Sequence, residues 1–105
     1  MNFSLTTRTA TDIATEATAA NLAAAQAECR RRILAVADET AQLNLVAAAS
    51  IGGLSEANAT TFAAGVAWIA AMRAKWPTLG AVEDVTADEH WPAVPAGVAE
   101  LAAQF

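Results

Sequence analysis

The chain has no Tyr, one Cys and one His, and neither Gly nor Pro before residue 52. Each shortage excludes something. A lone Cys forbids an internal disulfide and every Cys-pair metal motif, and a lone His leaves a transition-metal site without a second imidazole. Lys and Arg stop at Lys75, beyond which the chain carries Glu83, Asp84, Asp88, Glu89 and Glu100. The formal net charge is −5. An acidic balance argues against nucleic-acid binding, which needs a basic footprint. One of the two longest uncharged runs, residues 57–72, includes Asn58, Thr60 and Thr61. Its apolar part, residues 62–72, is shorter than the roughly 20 residues that cross a bilayer, so no membrane span is expected. The opening Met-Asn-Phe-Ser-Leu-Thr-Thr-Arg lacks the apolar stretch of a signal peptide, and synthesis in the cytoplasm is expected.

What fills the glycine- and proline-free half is alanine. Ala is the strongest helix former and Gly and Pro are the main breakers, so the pattern predicts one long helix over about 12–50. Residues 1–10 read as a Thr-rich arm, and 11–105 as a single helical domain. At about 1.5 Å per residue the long helix spans roughly 57 Å, far beyond a compact 105-residue globule whose radius of gyration is about 13 Å. An elongated or assembled molecule follows.

Two stripes recur along this helix at a spacing of seven. One is Ile13, Ala20, Ala27, Leu34, Ala41 and Ala48; the other is Leu22, Cys29, Val36 and Leu43, with Ile33 beside it. They lie on nearly opposite faces. A helix apolar on two faces needs cover on both, one face by the returning chain and the other by another chain or a further segment. Glu28 and Arg32 stand at the favourable i, i+4 spacing between them. Gly52-Gly53 ends the helix. Ser55 caps a second helix over about 56–76, stopped by Pro77, with Phe62, Val66, Ile69 and Trp76 on one face, Trp68 and Met72 on another, and Gly65 allowing close approach. The fold class expected is all-α: a long helix, an antiparallel hairpin return, an extended acidic segment around Trp91-Pro92, and a short last helix from Ala96, associating into an oligomeric helical bundle.

No catalytic constellation emerges. His90 between Glu89 and Trp91 reads as a loop residue, the acids at 83–89 do not follow a calcium-loop spacing, Cys29 has no neighbouring base, and Arg30, Arg31 and Arg32 point three ways around a helix beside compensating acids. No phosphate loop, dinucleotide glycine pattern or nucleophile elbow is present. The expectation is a protein without enzyme activity, cofactor or metal. The residues expected to form interfaces are Leu22, Cys29, Ile33, Leu34, Val36, Leu43, Leu45, Trp68, Arg73, Trp91 and Pro92.

Five segments in order carry a resemblance: Cys-Arg-Arg-Arg-Ile (29–33), Gln-Leu-Asn-Leu-Val-Ala-Ala (42–48), Gly-Leu-Ser (53–55), Gly-Val-Ala-Trp-Ile-Ala-Ala-Met-Arg (65–73) and, after an acidic loop, Trp-Pro-Ala-Val-Pro (91–95). Together they resemble the C-terminal part of the tail-fibre assembly proteins of tailed phages and short proteins encoded near phage tail genes. The resemblance implies assembly or structural work on a trimeric fibre, with other phage tail or fibre proteins and further copies of the chain as partners. It implies a virion location after synthesis in the host cytoplasm. Those assembly proteins carry a separate N-terminal region where this chain has a Thr-rich arm and an Ala-rich helix. A fibre-associated virion subunit is therefore the leading expectation. An assembly chaperone that binds a fibre tip is the alternative, and a small helical regulatory adaptor a third.

Overall fold

A computed structural model describes residues 9–105. Four α-helices run in chain order, α1 (Ala10–Val36), α2 (Glu39–Ser50), α3 (Glu56–Lys75) and α4 (Val98–Ala102), with 3-10 turns at Trp76–Thr78 and Asp88–His90. The fold is all-α, with no strand among the described residues. The arm expected over residues 1–10 lies, as far as residue 8, outside the described residues.

The first helix starts earlier than its sequence suggests. Thr9 is the cap: its hydroxyl accepts from the Asp12 N–H, and the Asp12 carboxylate accepts from the Thr9 N–H. This reciprocal pair satisfies two of the donors left open at a helix start.

The single helix expected over 12–50 is in fact two. Ala37 turns extended (φ −143°, ψ 110°), and the Asp38 carboxylate accepts from the Ala41 N–H at 2.8 Å, capping α2. Helix propensity across this stretch is high throughout, but an Asp followed by Glu offers the backbone a local N-terminus, and here that alternative wins. Arg30 clamps the joint, donating to Glu39 at 2.7 Å, and the Gln42 amide donates to the Ala37 carbonyl. The break also resets the helical phase. Leu45 turns into the core at 7% exposure, and Leu43, expected in the Leu22–Cys29–Val36 stripe, stands 71% exposed.

Gly52 closes α2 in the left-handed region (φ +70°), with the Gly53 N–H reaching the Ala48 carbonyl. A residue with a Cβ is strained there. The chain then returns as α3, antiparallel to α1: Met72 packs with Cys29 and Ile33, and further along Gly80 meets Thr18 and Leu22, its carbonyl accepting from the Asn21 amide.

The extended C-terminal segment is part of the core. Leu79, Val85 and Trp91 are buried with Ala25, Cys29, Ile33, Trp68 and Met72 in one cluster. Trp indoles hold the segment by its backbone: Trp91 Nε1 donates to the Val85 carbonyl at 2.7 Å and Trp68 Nε1 to the Pro92 carbonyl at 3.1 Å. α4 packs against Gly65 of α3 through Val98, and Ala102 joins Ala37 and Ala41 in a second small cluster. The molecule measures 68 × 28 × 17 Å with a radius of gyration of 19.1 Å. A compact chain of this length has about 13 Å. The excess comes from the first turns of α1, where every residue from 10 to 20 is exposed.

Candidate interaction surfaces

The interface residues expected from sequence divide into three sets. Cys29, Ile33, Leu45, Trp68 and Trp91 are buried within the subunit. Leu22, Leu34, Val36 and Pro92 are partly covered, and Leu43 and Arg73 face solvent. The chain's own core therefore uses the face carrying Ala25, Cys29 and Ile33, and the opposite side of α1 is left exposed.

That side presents the exposed alanines 17, 20, 23, 24 and 27 with Ile13, which is 53% exposed. At its far end α1, the start of α2 and the end of α3 enclose an open groove of about 660 Å³. Ile33, Leu34 and Trp76 supply apolar surface, Arg30 and Arg73 supply positive charge, and the Cys29 thiol lies beneath. Burial pushes the Cys29 thiol above its usual pKa, and the positive charge of Arg73 opposes that rise in part. A thiol held protonated is a poor nucleophile.

A second groove, of about 300 Å³, separates α2 from α3. Leu45, Val46, Phe62, Val66 and Ile69 line it, with Val98 and Leu101 of α4. Val46 and Val66 on its walls are 54% and 51% exposed. Leu43 and Val46 of α2 and Val66 of α3 are among the exposed large hydrophobic residues.

The acidic segment is also held by Arg32, whose spacing along the chain predicts only a helix-surface ion pair. The Glu28–Arg32 pair is present at 2.7 Å. Glu28, 7% exposed, also takes a two-pronged contact from Arg31. These hydrogen bonds, Arg31's first, hold the Glu28 carboxyl below the usual carboxylate range against the opposing effect of burial. Arg32 then reaches across the fold, donating to the Thr86 carbonyl at 2.6 Å and to Asp88 at 2.9 Å, with its guanidinium over the Trp91 ring. Asp84 has its pKa lowered by hydrogen bonds from the Thr86 hydroxyl and N–H, which shape the loop locally. Side chains 54 and more residues apart meet here, and no local spacing signals it.

Among the described residues no group of three His, Cys, Asp or Glu is arranged to hold a metal ion. His90 sits partly covered with Nε2 3.8 Å from Glu89. No described helix is long and apolar enough to cross a membrane. Comparison with protein-family models, with curated proteins and with solved structures returned no match to this chain.

Proposed function

We propose that this chain is a non-catalytic structural protein of a tailed-phage virion, associated with the tail fibre and acting by self-association and by contact with other fibre or tail proteins. The observation that carries the reading is the first three turns of α1. Residues 10–20 form a helix with every side chain exposed. Isolated helices of fewer than about 12–15 residues are marginal in water, more so when Thr and Ile replace Ala, so such a projection has its natural role against another chain. The exposed walls of the α2–α3 groove add apolar surface of the kind that binds protein. The five-segment resemblance to tail-fibre assembly proteins supplies the phage context.

Sedimentation of the purified chain tests the self-association. An oligomer at micromolar concentration is the expected result, and a folded monomer at high micromolar concentration overturns it. Quantitative proteomics of particles from a phage that encodes this chain tests the virion role. Copies in stoichiometric ratio to the fibre support a resident subunit, and absence from mature particles moves the assignment to a chaperone.

A further inference from the structure

We infer that two copies pair through antiparallel α1 helices about a twofold axis at Ala23, each copy seating its projecting helix end over the other's Arg30–Arg73 groove. The inference rests on the self-association proposed above and specifies its surface.

The exposed line of α1 carries it. Residues 16, 20, 23, 27, 30 and 34 follow one another at intervals of four and three, and so share one narrow strip of the helix surface. All but Leu34 are exposed, and Leu34 is half-covered. About Ala23 the strip carries opposite charges at equal distances. Glu16 lies seven residues before and Arg30 seven after, while Ile13 lies ten before and Leu34 eleven after. A twofold axis maps a surface onto itself, so an isologous contact needs a patch that complements its own reversed copy. An antiparallel pair centred on Ala23 sets Glu16 of each copy against Arg30 of the other, twice. Ile13 then falls level with position 33, next to the part-covered Leu34 of the second copy, and small alanines between them let the backbones approach closely.

The parallel arrangement lacks this match. In register it sets Glu16 level with Glu16 and Arg30 with Arg30, and like charges brought close oppose association. The charge layout therefore selects a twofold pair over the threefold assembly that the fibre resemblance implies.

The groove at the receiving end has matching chemistry. Its apolar surface comes from Ile33, Leu34 and Trp76, and its charge from Arg30 and Arg73. Arg73 forms no hydrogen bond or ion pair among the described residues. Arg30 contacts Glu39 through one nitrogen, and a guanidinium has five N–H donors, so a second carboxylate fits beside it. The incoming helix end carries Asp12 and Glu16, and Arg8 precedes them in the chain. Both surfaces belong to one chain, and a single reciprocal contact covers them.

Charge reversal followed by sedimentation equilibrium tests the pairing. Glu16→Arg and Arg30→Glu are each expected to raise the dimer dissociation constant about tenfold, and the double variant to return it to within about threefold of the parent. In a Cys29→Ala background, Ala23→Cys is expected to cross-link to its counterpart on treatment with diamide, and Val66→Cys on the other groove is not. A dimer whose affinity ignores both charge reversals, or that cross-links at Val66 and not at Ala23, overturns this pairing while leaving self-association standing. A chain monomeric at every concentration overturns both.

Discussion

The Arg32 guanidinium lies 5.6 Å from the centre of the Trp91 ring while its nitrogens reach Glu28, Thr86 and Asp88. One side chain thus ties the C-terminal end of α1 to the acidic segment 56 residues away. Charge-assisted hydrogen bonds and a cation over an indole face each exceed an ordinary neutral contact. Without Arg32, the buried Glu28 carboxylate retains only Arg31, which is itself largely exposed.

Arg32→Ala is expected to destabilise the protein by about 2–3 kcal/mol, and Arg32→Lys to recover less than half of that. A lysine carries the charge but not the planar fork that contacts two acceptors and stacks on Trp91. Urea unfolding followed by Trp fluorescence measures both. A Lys variant as stable as the parent refutes the account of the clasp.

Stability is expected to fall on acidification with Glu28 as a principal cause. Its folded pKa lies below the ordinary value of 4.5. A carboxylate depressed on folding contributes stability above its unfolded pKa and loses that contribution as pH falls through the folded value. Glu28→Gln is expected to lower stability at neutral pH and to flatten the decline below about pH 4.5, so that the two curves converge in acid. Urea midpoints measured across that range decide it; parallel curves assign the acid sensitivity elsewhere.

Leu45→Asp and Leu43→Asp separate two leucines about 200° apart around α2, of which the α1–α2 break turns Leu45 to the core. Leu45 is 7% exposed and Leu43 71%. A charge at position 45 is expected to cost about 4 kcal/mol or to prevent folding, and a charge at position 43 to change stability by no more than about 0.5 kcal/mol. An unbroken helix would group them differently. Thermal unfolding of the two variants tests the break as well as the burial.

Gly65 meets α4 closely: a Cβ built there comes 3.3 Å from Val98 Cγ1. Gly65→Ala gains about 1 kcal/mol in helix propensity, which the crowding of Val98 offsets, so a near-neutral change is expected. Gly65→Leu is expected to cost about 2 kcal/mol and to displace α4. Hydrogen exchange over residues 98–102 reads the displacement. A Leu variant with unchanged protection there disproves the close approach.

Much of the architecture was legible along the chain. Alanine content and the position of the first glycine predict a long helical first half. Ser55 as a cap, Gly52-Gly53 as a stop and Pro77 as the limit of α3 all read directly, because each acts through its own or an adjacent backbone bond. The Glu28–Arg32 pair was equally plain, since i, i+4 neighbours meet on any helix. The interruption at Ala37 was less so. Asp38-Glu39 carries a capping signal, but propensity on either side favours continuity, and the balance between them tips with the packing of Ala41 and Leu45.

The primary sequence by itself determined the all-α class, the Gly52-Gly53 turn, the Pro77 limit and the acidic final third, because these follow from local backbone preference and composition. Only the tertiary structure decided which stripe of α1 became core, that Leu43 faces water while Leu45 does not, and that Arg32 holds the acidic segment. Those outcomes depend on contacts between residues tens of positions apart, and no short-range rule encodes where a returning chain will lie.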